Sequence, residues 1–92
     1  MKLKIMKIIK KPSKYGGHFY YLYLKDTTEN GKSYKSCLSS NYRNFAHWRG
    51  IINRFNPDGK YDYFITNARL KGNKGNVIDA DTVPLLQVTP RE

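Results

Sequence analysis

The sequence predicts a mainly β protein with one helix, a five-stranded antiparallel barrel in the order β-β-β-α-β-β. Short segments with alternating apolar residues recur along the chain, and one segment has the 3.6-residue period of a helix. Clusters of Gly, Pro, Asn and Asp separate these segments. Because a single helix is too small to cover both faces of a flat five-stranded sheet, closing the sheet into a barrel is the arrangement that buries its apolar side.

The first strand is predicted at residues 2–10, with a turn to follow at 11–17. Leu3 and Ile5 share one face, whereas Ile8 has the opposite parity. A β-bulge near Met6 would bring all three to the same side of the sheet.

The second strand, at residues 18–25, is the clearest in the chain because aromatic and other β-prone residues dominate it. Its alternation separates Tyr20, Leu22 and Leu24, which have the character of a core face, from Phe19, Tyr21 and Tyr23 on the opposite face. Parity alone leaves open which of the two sets faces the core.

The third strand is predicted at 33–39, after the hairpin signal Asn30-Gly31. Its parity separates Tyr34, Ser36 and Leu38 from Lys35 and Cys37.

The helix is predicted at residues 42–55, where apolar residues recur at spacings of three and four and form a stripe: Phe45, Trp48, Ile52 and Phe55. Trp48 lies on this stripe and is expected in the core. Ser39, Ser40 and Asn41 offer oxygens for the N-cap. Gly50 is unfavourable inside a helix, so we expect another backbone to approach it closely.

The last two strands are predicted at 60–71 and 77–88. Asn56-Pro-Asp-Gly ends the helix before them. Pro84 weakens the fifth strand and suggests that it lies at an edge, because proline has no N–H to donate to a sheet ladder.

Composition indicates one domain, residues 1–92, with an excess of positive charge. Seventeen Lys and Arg against seven Asp and Glu give a net charge of +10. The aromatic content of 14% argues against disorder, and one cysteine argues against a disulfide scaffold. No apolar run is long enough for a membrane span or a signal peptide, so a cytoplasmic location is expected.

The positive charge is concentrated beside the aromatic strand. Nine of the seventeen basic residues fall in the first 35 positions, against only Asp26 and Glu29. Single-stranded nucleic acid binders combine a cationic groove with aromatic side chains on which bases stack. The candidate nucleic-acid-binding residues are Phe19, Tyr21, Tyr23, Tyr34 and Lys35 on strands two and three; Tyr61, Tyr63, Arg69 and Lys71 on strand four; and Lys10, Lys11, Lys14, Lys25 and Lys74.

The element order and the chain length resemble those of small OB-fold proteins that bind single-stranded DNA, of phage, plasmid or bacterial type. The resemblance covers the whole chain and involves no signature motif. It implies an oligonucleotide or oligosaccharide site on strands two and three, flanked by the loops 11–17 and 72–76.

Enzymatic chemistry is not expected, and neither is a cofactor. His18 and His47 lie on different elements and have no partner at a recognisable spacing, and one cysteine provides no zinc motif. Asp79 and Asp81 share a strand face but make too small a set for a metal site.

Two other functions fit the charge. One is a small basic protein of phage or plasmid type that binds and inhibits a host protein through an acidic surface. The other is a double-stranded DNA binder, although no helix-turn-helix is visible. The sequence does not distinguish DNA from RNA as the partner. It also leaves open whether the protein forms a homodimer.

Overall fold

The computed structural model describes residues 2–28, 31–72 and 76–91. It confirms a mainly β fold with one helix in the predicted order. The elements are β1 (Leu3–Pro12), β2 (His18–Asp26), β3 (Ser33–Ser39), α1 (Phe45–Arg54), β4 (Tyr61–Ile65) and β5 (Leu86–Pro90). The five strands pair antiparallel in the order β3-β2-β1-β4-β5, and the sheet curls into a half-barrel. No helix in the described part of the chain is long and apolar enough to span a membrane.

The predicted bulge in β1 is confirmed. Ile5 pairs with Leu24, but the next paired residue is Lys7, opposite Tyr23. Met6 is therefore the extra residue, and it restores Ile8 to the side occupied by the core.

The core lies between the inner side of the curled sheet and α1. Trp48 is completely buried, and its indole Nε1 donates a hydrogen bond to the Ala80 carbonyl oxygen at 3.2 Å. The predicted inner face of β2 is confirmed: Leu22 and Leu24 are buried, and Tyr20 is half-buried against the core.

The helix is shorter than predicted and its N-cap is Asn44, so the expectation that Ser39, Ser40 or Asn41 caps it is wrong. The Asn44 side chain makes no capping bond to the helix. Its Nδ2 instead donates to the carbonyl oxygens of Ala80 and Thr82, at 2.8 and 3.3 Å. A tertiary contact has thus replaced the local cap.

The predicted strands at 60–71 and 77–88 are too long, and the second is also displaced, because β5 continues to Pro90. β4 ends at Ile65, and β5 begins only at Leu86. Between these two strands the Asn67 side chain makes hydrogen bonds where backbone pairing is missing. Its Nδ2 donates to the Val83 carbonyl, and its Oδ1 accepts from the Leu85 N–H at 2.8 Å. The intervening Pro84 has no N–H to donate, so a regular ladder is interrupted there.

A short segment before β5 lies beside the outer edge of β3. Val77 forms a parallel bridge with Lys35, and Ile78 an antiparallel bridge with Leu70. The Lys35 N–H donates to the Asn76 carbonyl, and the Lys35 carbonyl accepts from the Ile78 N–H, both at 2.9 Å. These bonds partly close the half-barrel on the β3 side.

The expectation that another backbone approaches Gly50 is wrong, because a Cβ built there meets no atom within 4 Å. Gly50→Ala is therefore expected to stabilise the protein by about 1 kcal/mol, the difference in helix propensity between the two residues. For a domain of this size that corresponds to a rise in melting temperature of roughly 4–8 °C, which circular dichroism would measure.

Gly17→Ala is the matched control for Gly50→Ala. Gly17 has φ +70°, and a Cβ there would lie 2.3 Å from Ser40 Oγ, which accepts a hydrogen bond from the His18 N–H. This variant should be destabilised. A lower melting temperature for Gly50→Ala would mean that the helix is not formed as described.

Candidate functional site

The face of β1, β2 and β3 that points away from the core is here called the outer face. The strand register places its side chains in rows across the sheet, because directly paired residues in an antiparallel sheet project from the same side. The rows, each read from β1 to β3, are Lys11–Phe19–Ser39, Ile9–Tyr21–Cys37, Lys7–Tyr23–Lys35 and Lys4–Lys25–Ser33.

Three aromatic residues form a column along the middle of this face, the aromatic column: Phe19, Tyr21 and Tyr23. Phe19 and Tyr21 are half-buried, and Tyr23 is 37% exposed. None belongs to the core cluster of buried residues or to the partly buried residues packed against it. Successive members lie two residues apart on one strand, which separates them by about 7 Å.

Lysines flank the aromatic column on both neighbouring strands. Lys7 Nζ lies 4.8 Å from the centroid of the Tyr23 ring, and Lys11 Nζ lies 5.6 Å from that of Tyr21. On the other side, Lys35 is paired with Tyr23. Both tyrosine rings thus have a cation beside them that could hold a phosphate next to a stacked base, and Lys11 is also the register partner of Phe19.

Among the described outer-face residues of β1, β2 and β3 there is no acidic side chain. Asp26 belongs to the opposite, inner face and is buried. Asp62 on β4 is engaged by Lys4 at 3.5 Å and by Arg91 at 3.1 Å. The charged side chains that the described strands β1, β2 and β3 place around the aromatic column are therefore all lysines.

Tyr21 faces Cys37 across the β2–β3 pair. The neighbouring Cys37 thiol, followed by partial burial, raises the pKa of the Tyr21 phenol. The shift disfavours the phenolate form of Tyr21, which is the form that would repel a phosphate.

Two candidate aromatics lie in the core and do not join this surface. Tyr34 is only 8% exposed because its partner in the β2–β3 register, Leu24, points inward and paired residues share a face. Tyr63 is also 8% exposed and packs edge-on against Phe55, with ring centroids 5.4 Å apart.

The other candidates are divided between the outer face and its surroundings. Lys11, Lys25 and Lys35 lie on the outer face with the aromatic column. The remaining candidates within the described residues are not on this face. Lys10 pairs with Tyr20 and follows the inner face, Lys14 lies in the turn after β1, and Tyr61 is exposed on the same side of β4 as Tyr63. Arg69 is exposed after β4, Lys71 lines a cavity at the Phe19 end of the column, and Lys74 lies outside the described residues.

Sequence reasoning missed Lys4 and Lys7 as site residues. Both belong to the outer face, and Lys7 lies over the ring of Tyr23. The bulge at Met6 was the signal that could have found Lys7, because it reverses the parity of β1 and so brings Lys7 to the same face as Lys4.

A cavity of about 250 Å³ opens at the Phe19 end of the column. Phe19, Ser39, Tyr42, Lys71, Asp79 and Asp81 contribute to its lining. The Tyr42 hydroxyl donates a hydrogen bond to Asp81 Oδ1. That bond to Asp81, with burial adding to it, raises the pKa of the Tyr42 phenol.

In the described ranges, no three His, Cys, Asp or Glu side chains come together as a metal site would require.

Comparison with protein families, with curated proteins and with solved structures finds no match to this chain.

Proposed function

We propose that this protein binds single-stranded nucleic acid, with DNA as the favoured ligand. It binds with little sequence preference and does not catalyse a reaction. The observation that carries the proposal is the aromatic column, flanked by lysines on both neighbouring strands and free of acidic side chains among the described residues of that face.

The chemistry of the outer face suits unpaired bases. Every base offers a π-face, so stacking on Phe19, Tyr21 and Tyr23 is largely independent of sequence, and each stack contributes roughly 1–3 kcal/mol. The lysines are placed to contact the phosphates between stacked bases. In a duplex the bases are already stacked on one another, so the rings would have nothing to bind.

An OB-like identity of the half-barrel is part of the proposal. OB-folds are five-stranded, partly open barrels that bind oligonucleotides on strands two and three. The element order, the partial closure at the Lys35–Val77 bridge and the position of the aromatic column on β2 all support it.

Binding to single strands is expected to depend steeply on salt. If the five outer-face lysines (Lys4, Lys7, Lys11, Lys25 and Lys35) each contact a phosphate, log K should fall against log salt with a slope of about −3.5, since single strands give about −0.7 per contact. Fluorescence anisotropy with a labelled oligo(dT) of about 12 nucleotides, between about 50 and 200 mM salt, measures this slope.

The double variant Lys7→Gln, Lys35→Gln should make the slope shallower by about 1.4, because it removes two phosphate contacts that each contribute about 0.7. Lys60→Gln, an exposed lysine before β4, is the control and should leave the slope unchanged. A duplex of the same length separates the alternatives. Tighter binding to the duplex would indicate a double-strand binder, and no binding to either would favour an acidic protein as the partner.

A further inference from the structure

We propose that the cavity at the Phe19 end of the aromatic column is a pocket for a single guanine base. The inference rests on the proposed binding of single-stranded nucleic acid and adds one position of base preference to it. The cavity is continuous with the column through Phe19, and its volume of about 250 Å³ suits one planar ring system rather than several nucleotides.

The pocket combines aromatic rings and a lysine with two carboxylates, a group that the rest of the outer face lacks among the described residues. Phe19 and Tyr42 supply aromatic rings, Lys71 supplies a donor, and Asp79 and Asp81 supply acceptors. These carboxylates lie at the margin of an otherwise positive face. A phosphate placed there would be repelled, so the group that enters this cavity must instead present hydrogen-bond donors.

The two carboxylates are held in place but keep capacity to accept further bonds. Asp81 Oδ1 accepts from the Tyr42 hydroxyl, and Asp79 Oδ1 accepts from the Asp81 backbone N–H at 3.0 Å. Within the described part of the chain, no lysine or arginine lies within ion-pair distance of either carboxylate. The second oxygen of each therefore remains for a ligand.

The edge of guanine matches this set of groups. Guanine presents two adjacent donors, N1–H and the 2-amino group, next to the acceptor O6. Carboxylate oxygens accept from the donors, and the Lys71 ammonium group donates to O6. Thymine and uracil present one N–H between two carbonyl oxygens, which carboxylates disfavour. Adenine and cytosine present only one amino group beside a ring acceptor.

The test compares an oligo(dT) with oligonucleotides of the same length in which one central dT is replaced by dG or by deoxyinosine. Fluorescence anisotropy should show dG binding tighter than all-dT on the order of 10-fold, as expected for one good bidentate contact to a base. Deoxyinosine lacks the 2-amino group and should fall between them.

The double variant Asp79→Asn, Asp81→Asn should remove the preference for dG while leaving the affinity for all-dT equal or slightly higher. Asp58→Asn, an exposed carboxylate in the turn after α1, is the control for the change in charge and should keep the preference. A melting curve of each variant establishes that it is folded.

The outcomes separate the two proposals. Binding to oligo(dT) with no preference for dG, or a preference that survives the double variant, would overturn the guanine pocket and leave the proposed function standing. Absence of binding to every oligonucleotide would overturn both.

Discussion

Replacing Tyr21 and Tyr23 together by alanine is expected to weaken binding to oligo(dT) by about 2–6 kcal/mol, because each base–aromatic stack contributes roughly 1–3 kcal/mol. The fold should survive, since both side chains lie on the outer face and outside the core cluster. Anisotropy titrations give the loss of affinity, and urea unfolding of the same samples gives the change in stability.

Tyr15→Ala is the matched control. Tyr15 is 81% exposed, lies in the turn between β1 and β2, and has Lys14 Nζ 5.7 Å from its ring centroid. It therefore offers the same chemistry as Tyr23, but it lies outside the paired rows of the outer face. If Tyr15→Ala weakened binding as much as the double variant, stacking on the aromatic column would not be the source of affinity. Unchanged binding by the folded double variant would also exclude it.

Trp48→Ala is expected to be the most destabilising single substitution in α1, by about 3–5 kcal/mol for the cavity it leaves in the core. The indole is completely buried, and its Nε1 also ties α1 to the Ala80 carbonyl. Domains are stable by only about 5–15 kcal/mol in total. Equilibrium urea unfolding, followed by circular dichroism, should show a midpoint close to the start of the titration.

Two variants make the Trp48 result interpretable. Trp48→Phe keeps most of the ring volume but loses the hydrogen bond to Ala80, so its loss should be smaller than that of Trp48→Ala. His47→Ala changes an exposed neighbour in the same helix and should alter stability by no more than about 0.5 kcal/mol. A loss below about 1 kcal/mol for Trp48→Ala would contradict its place at the centre of the core.

Local alternation determined most of what makes the outer face recognisable. A period of two sorts a strand into two faces, so the separation of Phe19, Tyr21 and Tyr23 from Leu22 and Leu24 could be read from β2 alone. The bulge in β1 could be read in the same way, because Leu3, Ile5 and Ile8 reach one face only if a residue is inserted. The stripe that buries Trp48 likewise needs only the helical period.

Pairing between strands decided which of the other aromatics reach the solvent. Alternation shows which residues share a face but not which face is covered. Tyr34 is buried because it pairs with Leu24, and no property of β3 by itself indicates that partner. Tyr63 is buried because Phe55 of the chain leaving α1 packs against it. Both contacts depend on the register or packing between two neighbouring elements, which the alternation within one element does not specify.

The ends of β4 and β5 and the cavity beside Phe19 were decided only by the tertiary structure. The Asn67 side chain supplies the hydrogen bonds on either side of Pro84 in place of backbone pairing. The hydrogen bond between Tyr42 and Asp81 joins residues 39 positions apart in the sequence. Side-chain hydrogen bonds of this kind carry no periodic signal, because they depend on where the curled sheet brings distant segments together. The sequence by itself thus determined the aromatic column and three of its lysines, Lys11, Lys25 and Lys35. The strand pairing added Lys4 and Lys7, and the fold decided that a cavity with two carboxylates lies at the end of the column.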